Sequence, residues 1–379
     1  MHTIYFDHNA TTPVHPDVFN AMEPFFKEQF GNASNLYRLG VDARYAVEKA
    51  RAQIAFLINA DADEIVFTGG GTEADNLAIK GIVAANGKNH LIISGIEHPA
   101  VKMTCEYLEQ YHNCRITQLP VDKNGRIDPR DVEKAITPET ALVSIMLANN
   151  EIGAIQPIED IAKITRFHAV PFHTDAVQAA GKIPVDVQTL GVDLLSLAGH
   201  KIYGPKGVGA LYVKRGVQLI PQVQGGNHEN GRRAGTENVP GIVGFGQAAE
   251  LALHELPQRN QHDTTLRDLL WEKLSQLPFA ILRNSPATNV LPNTLNVSIH
   301  GINAREFVRA MDKESICLSS GSACSQGKTE PSSVLKAIGR TDEEAAAAIR
   351  ISVGRMNTRE DVGYFIETIT SVIKKCRGI

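Results

Sequence analysis

The chain has 379 residues, 43% hydrophobic and 21% charged, enough for one large domain and a smaller companion. A formal charge of −4 at pH 7 gives no electrostatic reason for a nucleic acid or an anionic membrane as main partner. No apolar run approaches the roughly 18 residues of a membrane span. The opening "MHTIYFDHNATTP" lacks the basic-then-apolar order of a signal peptide, so a cytoplasmic location is expected. Five cysteines, Cys105, Cys114, Cys317, Cys324 and Cys376, form no CxxC pair and point to neither a disulfide framework nor a zinc ribbon; no metal site is expected.

In chain order, residues 1–15 are expected to join a small domain, 16–256 to form a large domain, and 257–379 to form that small domain. Between Glu64 and Val213 short β-rich runs ("EIVFT", "HLIIS", "ALVSIML", "VPFHTDA", "DLLSLAG", "GALYV") alternate with helical stretches. This alternation predicts an α/β fold with a mostly parallel central sheet flanked by helices. Helices are expected over Thr72 to Asn86, after "TGGG", and over Pro157 to His168, where the proline suits a first turn. A long helix near Gly241 to Leu256 would link the domains. From Pro257 the order shortens to a helical "TTLRDLLWEKLSQL", alternating segments near "TLNVSIHG", and a helix from Ala304, which predicts an α+β unit.

Three local features carry chemistry. In "SLAGHKIYGPKGVGALYV", His200 and Lys201 leave the end of an apolar strand, where open α/β sheets bind ligands. A lysine partly desolvated there has a lowered pKa and can form a Schiff base. In "FHTDAVQ", Asp175 ends a second strand; it is also a candidate helix cap, but a buried acid needs a cationic partner, which a protonated pyridine nitrogen supplies. "FTGGGTEADNLAIKG" is a strand, a glycine turn and a helix whose first N–H groups face an anion. A lysine, an aspartate and a phosphate cradle together are the needs of pyridoxal phosphate.

These blocks, with "YFDHNATTP", "IEHPAV", "NNEIG", "GGNHENGRRAGTENV", "SSGSACS" and "RISVGR", resemble in order and over nearly the whole chain the cysteine desulfurases. Those are pyridoxal 5'-phosphate enzymes of the class V aminotransferase superfamily, with the fold type I architecture. The resemblance implies that Lys201 holds the cofactor covalently and later carries the substrate Cα proton. It implies that Asp175 pairs with the ring nitrogen, that Gln178 and Asn150 bond the phenolic oxygen, and that His98 stacks on the ring as acid or base. Gly71, Thr72 and His200 would hold the phosphate, with Thr236 reaching in from the partner of a homodimer. Arg355 would bind the carboxylate of L-cysteine, and Cys324 would take its sulfur as a persulfide for delivery to an acceptor protein, a scaffold or carrier. The loop around Cys324 resembles the long-loop group and is expected to swing between cofactor and acceptor. Cys317, flanked by apolar residues, is expected in the core.

A selenocysteine lyase, or another class V enzyme, would share much of this pattern. Two departures stand out. Ala198 occupies a position where many relatives carry a serine hydroxyl for the phosphate, and Asn35 and Tyr37 replace the commoner residues of that segment.

Overall fold

The computed structural model describes residues 3–320 and 331–377. The strands are β1 (Ile4–Tyr5), β2 (Ile65–Thr68), β3 (His90–Ser94), β4 (Arg115–Leu119), β5 (Thr140–Ser144), β6 (Phe172–Asp175), β7 (Leu194–Ala198) and β8 (Gly209–Val213). After the long central helix come β9 (Ile281–Arg283), β10 (Thr294–Ile299), β11 (Ile316–Cys317), β12 (Ser319–Ser320) and β13 (Ala348–Ser352).

Seven strands form the large sheet in the order β2-β8-β7-β6-β5-β3-β4. β8 runs antiparallel to both of its neighbours, and the other pairs are parallel. Every residue of β3, β5, β6, β7 and β8 is buried, which explains why these strands read as continuous apolar runs: helices cover both faces. Helices fill the crossovers, among them Gly71–Asn86 and Ile158–Phe167. The second starts one residue later than expected, with Pro157 as its N-cap.

The small unit is a four-stranded sheet, β12-β13-β10-β9, backed by helices Ala304–Lys313 and Arg359–Arg377. The chain start belongs to it in space. β1 pairs in parallel with β11, and Ile4 and Phe6 are buried in its apolar core with Leu295, Ile351 and Phe365.

The two helical stretches expected on either side of Pro257 are one helix, Val239–Ser275, 37 residues long. An interior proline forfeits a backbone hydrogen bond and costs about 3 kcal/mol. The helix survives because each half is rooted in a core: Ile242, Phe245 and Ala249 in the large one, Leu266, Leu270 and Leu274 in the small one. Burial of a single such side chain contributes about 1.5–3 kcal/mol, so several together exceed the proline's cost.

Candidate active site

The carboxyl ends of β6 and β7 open into a cavity of about 310 Å³ between the two units. Three elements supply its anion-binding side. After β2 the chain turns through Gly70, whose φ of +151° suits glycine, and enters helix Gly71–Asn86. A Cβ on Gly71 would stand 2.8 Å from Val177 Cγ2, so only glycine lets this helix start come so close to the turn after β6. The helix has no side-chain cap, and its first N–H groups are available to a ligand. Gly71 and Thr72 line the cavity with His200, which pairs with Thr11 Oγ1 through Nδ1 at 3.1 Å. Burial, reinforced by Lys201, pulls His200 down to about 4, so its imidazole is neutral. Ala198 also faces the cavity; its methyl lies 3.5 Å from the site of a Gly71 Cβ.

Asp175 ends β6 beside Ser196 of β7. It is 5% exposed, and its Oδ1 accepts the Val177 N–H at 2.9 Å. Burial raises its pKa, against the opposing pull of His98 and Lys201. Beneath it, Asp75 is raised well above the carboxylate range by burial and then by Asp175, and its Oδ1 finds no hydrogen-bond partner. His173 is held between Ser144 Oγ at 2.8 Å and Ser196 Oγ at 2.9 Å, and burial keeps it uncharged down to about pH 3. Glu97, also buried, accepts from Met146 N at 3.0 Å and from Ser94 Oγ; burial lifts it to about 8.

Lys201 follows β7 in a single turn of 3₁₀ helix. Its Nζ donates to the carbonyls of Asn9 at 2.5 Å and Ala10 at 2.8 Å, which aims the amine at the cavity it lines. His98 caps helix Pro99–His112, its Nδ1 accepting the Ala100 N–H at 3.1 Å. That bond leaves the proton of the neutral ring on Nε2. Burial, then the opposing charge of Asp175, sets its pKa, which is lowered overall. Asn150 and Gln178 complete this side.

The opposite wall comes from the chain start and the small sheet. Arg350, the middle residue of β13, is 2% exposed and lines the cavity. It donates to Asp7 Oδ1 at 2.7 Å and to the Asn150 carbonyl at 3.0 Å, while its Nε has no partner. The resemblance of "RISVGR" assigns the substrate carboxylate to Arg355 and says nothing of Arg350. The structure places Arg355 elsewhere: its guanidinium lies 3.8 Å from Glu255, over the Tyr203 ring at 5.7 Å, and outside the cavity lining. The signal lies in "AIRIS", since a charged residue at the centre of a mostly apolar run of strand length is rarer and more telling than one after a glycine. Asp7 and Asn9 were likewise unread.

Thr236 is exposed, beside Gly69, Gly207 and Arg233 in a separate depression, and so does not reach its own chain's cavity. The loop carrying it is anchored by Arg51, which binds Glu229 through two nitrogens at 2.6 and 2.9 Å. Cys317 pairs in β11 and is half-buried. Cys324 and its expected mobile loop lie outside the described residues.

The cavity fits pyridoxal phosphate. Asp175 is a buried acid in want of a cation, Gly71 and Thr72 begin a helix with uncapped N–H groups, and Lys201 lines the same cavity. In comparisons with known proteins, residues 4–365 match the family model "Aminotransferase class-V". The "Cysteine desulfurase IscS" of Dictyoglomus turgidum is 46% identical, over 99% of this chain and 96% of that protein. The protein of the same name from Methanosarcina thermophila is 47% identical, over 99% and 93%. Among solved structures, a "NifS-like protein" superposes with a TM-score of 0.93 at 37% identity, over 99% of this chain and 100% of that one. "SspA in complex with cysteine" gives 0.83 at 39%, over 94% and 100%.

Proposed function

The chain belongs to the class V aminotransferase family and, within it, to the cysteine desulfurases, and from that premise we propose how its residues divide the work of turning L-cysteine into L-alanine and enzyme-bound sulfur. The observation that carries the reading is the convergence of Lys201, Asp175 and the Gly71 helix start on one cavity. Bound pyridoxal 5'-phosphate supplies an electron sink for charge developing at the substrate Cα.

Gly71, Thr72 and His200 hold the phosphate, and Asp175 keeps the ring nitrogen protonated. Asn150 and Gln178 stand at the phenolic oxygen. Lys201 Nζ would hold the cofactor and would move the proton at the substrate Cα; the Asn9 and Ala10 carbonyls keep its amine pointed inward. His98 Nε2–H faces the reacting atoms as a proton donor. Arg350, in place of Arg355, holds the substrate carboxylate: it is already fixed by Asp7, and its cavity-facing edge suits a planar two-oxygen ligand.

The Cys324 thiolate attacks the substrate sulfur. An S–S bond forms, the Cβ–S bond breaks, its electron pair stays with carbon, and protonation of that carbon gives alanine. The persulfide then passes its outer sulfur to an acceptor protein; the IscS names of relatives favour one in iron–sulfur cluster assembly. Thr236, remote from its own cavity on a loop held by Arg51, favours a homodimer in which it completes the partner's phosphate site. No described helix is long and apolar enough to cross a membrane, which accords with a cytoplasmic enzyme.

The test separates the two halves of the chemistry. Lys201→Ala should lose the borohydride-fixable cofactor linkage and all measurable alanine release. Cys324→Ser should keep the cysteine-induced change in cofactor absorbance while alanine and persulfide formation fall by orders of magnitude. Wild-type alanine release from the serine variant would refute the assigned nucleophile.

A further inference from the structure

Lys182 is 4% exposed, yet both oxygens that receive its Nζ are neutral amides: Gln178 Oε1 at 2.6 Å and Asn9 Oδ1 at 3.0 Å. Burying a lysine on such acceptors is costly, and an apolar side chain of similar length would fill the space without that cost. The position therefore calls for a donor. Burial and then the nearby Lys201 pull the Lys182 pKa well below its ordinary range, but ammonium and amine alike supply the two N–H groups that these oxygens take.

What the donor accomplishes follows from the chemistry of its partner. A glutamine amide can turn by half a revolution, exchanging oxygen and NH2 with almost no change of shape, unless its neighbours tell the two ends apart. On Gln178 they do. Lys182 Nζ takes the oxygen, and Nε2 donates to the Asn9 carbonyl at 2.9 Å, the same carbonyl that receives Lys201 Nζ. Asn9 is keyed in its turn: its own oxygen also accepts from Asn293 Nδ2 at 2.9 Å, and its NH2 donates to Thr294 Oγ1 at 2.8 Å and to the Asn150 carbonyl at 3.2 Å. With one Nε2 hydrogen spent on Asn9, the other is left for a group in the cavity that Gln178 lines.

We propose that Lys182 is a positioning residue that locks the Gln178 amide with its NH2 toward the cavity, so that Gln178 acts as a donor to the phenolic oxygen of the cofactor. This rests on the reading of Gln178 as a ligand of the cofactor ring. In its absence only the Asn9 carbonyl would tell the two ends apart, and the orientation that sets the amide oxygen against the phenolic oxygen would be less strongly disfavoured.

The experiment strips the cofactor from the full-length wild type and from Lys182→Met, Gln178→Leu and the double variant, then titrates each with pyridoxal phosphate. Dissociation constant and visible absorption maximum are read, with thermal melting to verify folding. Gln178→Leu should weaken binding about tenfold, the worth of one hydrogen bond, Lys182→Met by a smaller factor of about two to five, and both should displace the absorption maximum in the same direction. The double variant should bind no more weakly than Gln178→Leu alone. Losses that add in full, or a Lys182→Met variant that binds normally while Gln178→Leu does not, would overturn the proposal. Normal binding by Gln178→Leu would instead overturn the role given to Gln178. Lys182→Gln, which keeps an N–H donor, should recover most of the affinity; if the methionine variant does not fold, the same cycle is run with Lys182→Leu, which likewise removes the donor, and decides by whether the two losses add.

Discussion

On the sheet side of the cavity, Asp75, Glu97, His173 and Asp175 are buried groups whose protonation is set mainly by the loss of water around them. On the side of the chain start and the small sheet, Asp7, Asn9 and Arg350 are set by hydrogen bonds to partners far off in the chain. The first arrangement fixes charge; the second fixes distance between two folded units. Substitutions on the sheet side should therefore appear in kcat and in pH dependence. Those on the facing wall should appear in KM.

The largest expected effect is on the sheet side. Asp175→Asn removes the charge that stabilises a protonated ring nitrogen but keeps the shape, and should lower kcat about 10²- to 10³-fold with the cysteine KM nearly unchanged. A variant that lost only KM would break the distinction.

The facing wall gives the next effect. Arg350→Lys keeps the charge and the pairing with Asp7 but loses the planar fork, and should raise the cysteine KM about 10- to 100-fold, the worth of one charge-assisted hydrogen bond. Arg355→Ala should change KM less than about threefold. The opposite ranking in steady-state assays would restore Arg355 to the substrate.

The smallest effect is on stability. Glu97 has a pKa of about 8 in the folded protein against 4.5 ordinarily, so between these values the folded state holds a proton that the unfolded state has released. Its contribution to stability is full below about pH 4.5 and is lost as pH rises toward 8. Relative to Glu97→Gln, the wild type should lose at least about 1 kcal/mol across that range in urea denaturation. A constant difference between the two proteins would show that Glu97 is ionised throughout.

The same contrast explains what could be read in advance. Lys201, Asp175 and Gly71 each sit where an apolar strand ends, and local spacing alone places them at the ligand-binding edge of an α/β sheet. Arg350 and Asp7 are 343 residues apart, as Asn9 and Thr294 are 285, and no local pattern announces such pairs. Arg355 is singled out only by the resemblance of "RISVGR" to a family block, whereas burial in β13 is what brings Arg350 to the cavity. No local pattern singles out Lys182, whose partners Gln178 and Asn9 are brought together only by the fold. Pro257 misled for the same reason: its penalty is local, and the apolar contacts that outweigh it are made in two separate cores.

Helix Val239–Ser275 ties those two cores into one thermodynamic unit. Apart from the bond that Pro257 forfeits, its turns run without a break from Ile242 to Leu274, so fraying that begins in the small core reaches turns packed in the large one. The two units are therefore expected to melt together. Because the chain start also inserts Ile4 and Phe6 into the small core and presents the Asn9 carbonyl to Lys201, the lysine acquires its final setting only when residues from both ends of the chain have met.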